Sequence, residues 1–168
     1  QGDCPRGVST PYAKLILTRK QGMERVKLDF PAEAVIHRHP LTVRVTDMNY
    51  GRHLGHDALV SLLHEARIQA FAALDLPEWD MHGYPSVVAD LAVQYQSEAR
   101  WPDGLTIATA VPEPQGKALT IYQRIYQADS QQVVATARIN QLLIDRATGR
   151  PVEVPEQVKQ ALSHARYG

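Results

Sequence analysis

A short polar segment, residues 47–57, holds most of the side chains that could carry chemistry. It reads Asp-Met-Asn-Tyr-Gly-Arg-His-Leu-Gly-His-Asp and directly precedes the longest helical pattern of the chain. Carboxylates and imidazoles can exchange protons near neutral pH, and the unpaired N–H groups at a helix start can stabilise negative charge on an oxygen. The segment therefore predicts acid–base chemistry on a polarised carbonyl group.

Three residues of this segment each allow a functional and a structural interpretation. Asp57 could deprotonate water, or its carboxylate could cap the helix. Asn49 could donate to a carbonyl oxygen or orient water, or it could be a turn residue with left-handed dihedrals. Gly55 could let a substrate oxygen approach the backbone closely, or it could supply the unusual dihedrals of a turn.

Four further residues are candidates with similar alternatives. His53 and His56 could be acid–base groups or loop histidines bonded to the backbone. Glu65 lies two turns after Asp57 on roughly the same side of the helix, and it could be catalytic or could pair with charges on that helix. Tyr50 could border a substrate pocket or pack beneath the loop.

A metal site is the weakest interpretation of the same region. It would combine His53, His56 and Asp57 with His37 or His39, and this spacing matches no standard ligand signature. We therefore predict no metal.

Length, charge and cysteine content limit the classes of function. A chain of 168 residues is expected to form one domain over residues 23–168, and residues 1–22 are expected to be a loose extension, some of it foreign to the native protein. Lysine plus arginine and aspartate plus glutamate number 18 each, which argues against nucleic acid or an anionic membrane as partner. The single Cys4 excludes an intrachain disulfide and fits a reducing cytoplasm.

The periodicity of apolar residues predicts an α+β fold with the element order strand, helix, four strands and a short terminal helix. The last three strands are expected to be antiparallel neighbours, and the sheet is expected to curl around the central helix. The strands are predicted at residues 41–45, 87–96, 105–111, 118–128 and 133–144, and the helices at 57–76 and 156–165.

These residues resemble the hotdog-fold thioesterases of the 4-hydroxybenzoyl-CoA thioesterase type, over residues 41–162. The family pattern Asp-x-Asp-x-x-Gly-His-Val-Asn-Asn has its counterpart in residues 47–57, and a Glu-x-Ala-Arg-like helical segment has its counterpart in His64-Glu65-Ala66-Arg67. The spacing from Asn49 to His53 and Arg67 is kept. Residues 93–105 and 134–155 resemble the second strand, the turn that follows it, and the last strand with its exit.

The resemblance implies a hotdog fold, in which a long central helix is wrapped by a curved antiparallel sheet of about five strands. It also implies an acyl-CoA thioesterase that assembles as a homodimer or homotetramer and needs no cofactor. The family's catalytic aspartate is Asn49 here, so Asp57, Asp47 or Glu65 would have to supply the carboxylate. The alternatives are a non-catalytic module that binds acyl-CoA or acyl-carrier protein and, less favoured, an enoyl thioester hydratase.

Overall fold

The structure is a computed structural model that describes residues 22–168. In this range it contains five strands and two helices: β1 (Val35–Thr42), α1 (His56–Ala72), β2 (Ser86–Tyr95), β3 (Gly104–Ala110), β4 (Ala118–Gln127), β5 (Val133–Leu143) and α2 (Glu156–Tyr167). The predicted element order is confirmed. The predicted N-terminal extension lies, apart from Gly22, outside the described residues.

Three predicted boundaries are wrong by several residues. The first strand was expected at residues 41–45, but β1 begins at Val35 and ends at Thr42, and Val45–Asp47 forms a 3₁₀ turn. The first helix was expected to reach residue 76, but it ends at Ala72, and Asp75 then adopts a left-handed φ of 58°. The periodic pattern continued past both ends because Val43 and Leu76, in the adjoining turns, are buried in the core, whereas Val45 is exposed.

The five strands form one antiparallel sheet in the order β1-β3-β4-β5-β2. The three strands expected to be consecutive neighbours, β3, β4 and β5, are adjacent as predicted. The two remaining strands, β1 and β2, therefore form the open edges of the sheet. Within residues 22–168 no helix is long and apolar enough to cross a membrane.

Helix α1 packs one side against the sheet. Its buried residues include Leu59, Leu62, Leu63, Ala66, Ala70 and Phe71, whereas Ser61, His64, Glu65 and Gln69 on its other side are exposed. The C-terminal helix α2 contributes Val158 and Leu162 to a second buried apolar cluster, which includes Phe71 at the end of α1. The core thus lies between the sheet and the two helices and leaves the polar side of α1 open in the single chain.

A buried polar contact joins α1 to the middle of the sheet. Gln123 on β4 is 2% exposed, and its Nε2 donates to the main-chain oxygen of Leu63 at 2.9 Å and to Thr109 Oγ1 at 3.2 Å. Such a buried polar group is stable only when its hydrogen bonds are made. Gln123 therefore fixes the position of α1 on an otherwise apolar surface.

A second polar network connects α1 with the segment that follows it. Arg67 Nε donates to Glu78 Oε1, and Gln141 Nε2 on β5 donates to the same oxygen at 3.0 Å. The side chains of Arg67 and Glu78 are only 7% and 13% exposed. The arginine of the family-like helical segment therefore anchors the helix to the loop before β2.

Candidate active site

The loop before α1 is closed by the side chain of Asn49. Asn49 Oδ1 accepts hydrogen bonds from the N–H groups of Gly51 at 2.9 Å and His53 at 3.3 Å, and Asn49 N donates to the oxygen of His53 at 2.8 Å. The turn interpretation of Asn49 therefore has a structural basis. The left-handed residue of this loop is Arg52, at φ 62°, and not Asn49.

Gly55 is the N-cap of α1 and is buried. Its φ of −64° and ψ of 144° are open to any residue, so the interpretation of Gly55 as a glycine required by unusual dihedrals is wrong. What excludes a side chain is space, because a β-carbon at this position would lie 2.7 Å from Asp57 Oδ1. The sequence predicted that a substrate oxygen approaches Gly55 closely. In this structure the carboxylate of Asp57 lies in that space.

Asp57 is not the helix cap. The helix begins at His56, the N-cap Gly55 makes no side-chain hydrogen bond, and Asp57 is the second residue of the first turn. Its carboxylate is exposed, and no hydrogen-bond donor among residues 22–168 engages it. Asp57 is therefore a free carboxylate beside the N–H groups of a helix start, where the helix dipole favours negative charge.

Tyr95, at the end of β2, reaches the same helix start. Its Oη donates to the main-chain oxygen of His56 at 3.1 Å. Burial, and then the negative charge of Asp57, raise the pKa of the Tyr95 phenol above its ordinary value. The phenol is therefore held in its protonated form and can act as a hydrogen-bond donor near the Asp57 carboxylate.

His53 is fixed by residues of the loop between β2 and β3. Its Nε2 lies 3.0 Å from Glu98 Oε2 and 3.4 Å from Arg100 Nη2. The side chain of His56 is exposed, and only its main-chain oxygen takes part in the contact with Tyr95. The two histidines predicted as acid–base candidates therefore have different surroundings, and only His53 is oriented by a carboxylate.

The two other carboxylates considered for catalysis have structural partners. Asp47 is buried and accepts hydrogen bonds from Arg44 N at 2.8 Å, Nη2 at 2.9 Å and Nε at 3.2 Å. These bonds hold the pKa of Asp47 below its ordinary value despite its burial. Glu65 Oε1 accepts from Gln69 Nε2 at 2.9 Å, so its intrahelical partner is an amide and not the predicted charge.

Tyr50 and the two histidines of β1 lie apart from these contacts. Tyr50 is fully exposed, so the interpretation in which it packs beneath the loop is wrong. His37 and His39 stack on each other with ring centroids 6.3 Å apart. Among the described residues no group of three or more His, Cys, Asp or Glu side chains is arranged to hold a metal ion.

Sequence reasoning missed Tyr95, Glu98 and Arg100 as site residues. All three lie within the segment that resembles the family's second strand and following turn, but no local pattern connects them with the loop before α1. Their contacts with His53 and His56 join residues about 40 positions apart in the chain. Only the placement of the end of β2 beside the start of α1 reveals them.

The family model of the thioesterase-like superfamily matches residues 43–162. This range contains the loop before α1, the start of α1, the loop between β2 and β3, and four of the five strands. The chain belongs to the thioesterase-like superfamily. The resemblance that the sequence suggested is thereby confirmed. The α+β hotdog fold with its curved five-stranded sheet is also confirmed, but the sheet encloses α1 only in part, since the polar side of this helix is exposed. No curated protein matches the chain in sequence.

Solved structures of this thioesterase-like fold cover most of the chain. A 1,4-dihydroxy-2-naphthoyl-CoA thioesterase from Synechocystis shares 15% identity at a TM-score of 0.69, covering 75% of this chain and 94% of its own. The Staphylococcus aureus DHNA-CoA thioesterase shares 18% identity at a TM-score of 0.67, covering 77% and 89%. A Staphylococcus aureus protein solved in complex with CoA, SAV2348, shares 16% identity at a TM-score of 0.70, covering 79% and 84%. At these identities the likeness shows the shared fold.

Proposed function

We propose that this protein is an acyl-CoA thioesterase that hydrolyses a thioester to the free acid and CoA. Its superfamily and the CoA bound in a structure of the same fold support this substrate class. The observation that carries the proposal is the free carboxylate of Asp57 beside the unpaired N–H groups at the start of α1. Water, a carboxylate and backbone dipoles suffice for the reaction, so no cofactor is needed.

In the proposed mechanism, the acyl carbonyl oxygen receives hydrogen bonds from the helix-start N–H groups and from the amide Nδ2 of Asn49. Asn49 Oδ1 is occupied by the loop, so the side chain can contribute only as a donor. Asp57 acts as the base that removes a proton from water or as the nucleophile that attacks the carbonyl carbon. His53 is the acid–base group next to this centre, and Tyr50, Gly55, His56 and Glu65 are proposed to border the substrate.

The choice of Asp57 follows from the state of the neighbouring carboxylates. Asp47 is buried with three bonds from Arg44, and a general base needs access to the substrate. Glu65 is exposed but bonded to Gln69 one turn further along α1. Asp57 is the remaining candidate of the three and lies closest to the helix-start N–H groups.

A homodimer through the edge of β2 is proposed as the assembled form. This edge strand exposes Val87, Val88, Leu91 and Tyr95, each more than 40% accessible in the single chain. An exposed apolar edge strand pairs readily with a second copy. Since Tyr95 also contacts the start of α1, the acyl-CoA cleft would lie at the boundary between the two subunits.

The reaction is tested by free-thiol release from short, long, aromatic and dicarboxylic acyl-CoA esters. Asp57→Asn should lower turnover by about 10²- to 10⁴-fold, the usual contribution of a positioned base. Asp75→Asn is the matched control, because Asp75 is an exposed carboxylate just beyond the other end of α1. Retained turnover in Asp57→Asn would remove Asp57 from the mechanism.

A non-catalytic acyl-CoA or acyl-carrier-protein binding module is the second candidate function. It is favoured by one observation, the replacement of the family's catalytic carboxylate by Asn49, whose oxygen is held within the loop. Tight binding of a non-hydrolysable acyl-CoA analogue without thiol release from the esters would support this module. Multiple turnovers by the wild-type protein would exclude it.

The dimer is tested by analytical ultracentrifugation. Val88→Lys introduces a charge into the exposed edge strand and should shift the protein towards monomer. Val26→Lys is the control, because Val26 is similarly exposed at 48% against 52% but lies outside the sheet. An unchanged dimer in Val88→Lys, or a wild-type monomer, would contradict the edge interface.

A further inference from the structure

The ion pair between His53 and Glu98 joins the loop before α1 to the loop after β2. His53 Nε2 and Glu98 Oε2 are 3.0 Å apart, and the side chains are 20% and 46% exposed. Pairs this accessible contribute little to stability because water screens them. The contact is therefore more informative about the orientation of the imidazole than about folding.

The distances around His53 Nε2 assign its proton. Arg100 Nη2 also approaches this nitrogen, at 3.4 Å, but a guanidinium can only donate and a carboxylate can only accept. One nitrogen of a neutral imidazole cannot accept from Arg100 while it donates to Glu98. The shorter contact with the carboxylate assigns the proton to Nε2, which leaves Nδ1 as the free position of the ring.

His53 Nδ1 faces the turn formed by Asn49 and Gly51. A β-carbon built on Gly51 would lie 3.7 Å from His53 Nδ1 and 3.2 Å from Asn49 Oδ1. The nitrogen of His53 that does not contact Glu98 therefore lies beside the turn that contains Asn49, the residue at the position of the family's carboxylate. A carboxylate that holds one nitrogen of an imidazole while the other faces the reacting group is a recurrent arrangement for proton transfer.

We propose that Glu98 is a positioning residue that holds His53 through Nε2, so that His53 Nδ1 delivers a proton to the departing sulfur during thioester hydrolysis. This inference rests on the proposed thioesterase function and adds the group that serves the leaving thiol. Arg100 Nη2 lies 3.4 Å from the same imidazole nitrogen. Glu98 itself acts through His53 and does not touch the reacting atoms.

The proton transfers balance over one turnover. Asp57 accepts a proton from water while the water oxygen bonds to the carbonyl carbon. The carbon–sulfur bond then breaks, the sulfur takes the electron pair, and the imidazolium of His53 gives its Nδ1 proton to that sulfur. This leaves the free thiol, the carboxylic acid, neutral His53 and protonated Asp57. A proton passing through solvent from Asp57 to His53 restores both groups, and the product acid ionises.

The kinetic test compares Glu98→Ala with Glu113→Ala in the thiol-release assay. Glu113 is the matched control, because its exposed carboxylate also forms an ion pair, with Arg166 at 2.8 Å. Glu98→Ala should lower kcat by about 10- to 100-fold, the range for removing a partner that orients a functional imidazole, with KM changed less than about twofold. In a His53→Gln background, Glu98→Ala should have no further effect on kcat. Unchanged kcat in Glu98→Ala, or independent effects of the two substitutions, would overturn the proposal.

A second measurement does not depend on turnover. Imidazole ¹⁵N chemical shifts of the full chain, assigned with His53→Gln and recorded at alkaline pH, report which nitrogen carries the proton. The Nε2–H fraction in the wild type should exceed that of a histidine in an unfolded chain, and it should fall towards that value in Glu98→Ala. A wild-type imidazole without this preference would overturn the positioning role of Glu98. Wild-type protein that shows the preference but releases no thiol would overturn the proposed function and the proton delivery, and would leave the positioning contact standing.

Discussion

The carboxylate of Asp57 occupies the space beside the α-carbon of Gly55, because a β-carbon at Gly55 would lie 2.7 Å from Asp57 Oδ1. Gly55→Ala should therefore displace the Asp57 carboxylate from the helix start. We expect kcat/KM to fall at least about tenfold, which corresponds to roughly 1.4 kcal/mol of transition-state stabilisation. The measurement is thiol release with the acyl-CoA ester that the wild type prefers.

The stability of Gly55→Ala should change little. The backbone dihedrals of Gly55 suit alanine, and the reduced freedom of the unfolded chain offsets part of the crowding. Gly104→Ala is the control, since a β-carbon there makes only an ordinary contact of 3.5 Å with Ala128. Normal turnover in Gly55→Ala would show that the position of Asp57 is not critical.

Removal of Glu78 should destabilise the protein strongly. Glu78→Ala leaves the guanidinium of Arg67 buried without its carboxylate and also removes the acceptor of Gln141. Loss of one partner of a buried pair costs about 3 to 5 kcal/mol, and this would lower Tm by roughly 10 °C in a protein of this size. Calorimetry provides the measurement. Glu153→Ala, which removes an exposed carboxylate outside the helices and strands, should change the stability by no more than about 0.5 kcal/mol.

The Asp47 carboxylate should make folding sensitive to acid. Its hydrogen bonds from Arg44 lower its pKa in the folded protein, so the unfolded chain binds more protons as the pH falls. The stabilisation is complete above the unfolded pKa, near pH 4, and is lost as the pH falls through the lower folded value. Urea unfolding between pH 7 and pH 3 should show this loss in the wild type.

The variant Asp47→Asn should remove that part of the pH dependence. It should also be less stable at pH 7 by about 2 kcal/mol, since the bonds to a charged acceptor are weakened. Asp129→Asn, at an exposed turn, is the control and should retain the wild-type slope. Equal slopes in Asp47→Asn and the wild type would show that the Arg44 contact does not shift the folding equilibrium.

Arg52 holds a left-handed backbone conformation, with φ 62°, at a place where the family pattern has glycine. The left-handed conformation costs a non-glycine residue about 1 to 2 kcal/mol. Replacement by glycine removes this strain, but the larger entropy that glycine loses on folding cancels about half of the gain. Arg52→Gly should therefore raise the free energy of unfolding by up to about 1 kcal/mol. Arg52→Ala keeps the strained conformation and should give no gain in the same urea unfolding experiment.

The sequence was sufficient for the element order and for the neighbours among β3, β4 and β5, because short connections join these three strands. The first strand was harder to place. Inward-facing and outward-facing residues alternate along β1, but the inward positions include the polar residues His37 and His39. The sequence therefore lacks the alternation of apolar and polar residues that identifies a strand. Its last inner residue, Leu41, is apolar, as the pattern of a half-buried strand requires.

The site was predictable where it is local in sequence. The loop and the helix start were located from residue types alone, and Asp57 and His53 were named as candidates. The roles of Gly55 and Asn49 required coordinates, because both depend on the distance between side chains in a folded loop. Tyr95 and Glu98 could not be inferred, since their positions depend on how the end of β2 is placed relative to α1.

The hydrogen bond from Gln123 to the main-chain oxygen of Leu63 has a consequence for the direction of the Asp57 side chain. Apolar packing is non-directional, and a helix that slides or turns on an apolar sheet exchanges one leucine contact for another. Side chains are separated by roughly 100° per residue around a helix axis, so a small rotation would aim Asp57 elsewhere. Gln123, which does not contact the substrate, thus determines the direction in which the Asp57 carboxylate points, less than two helical turns from Leu63.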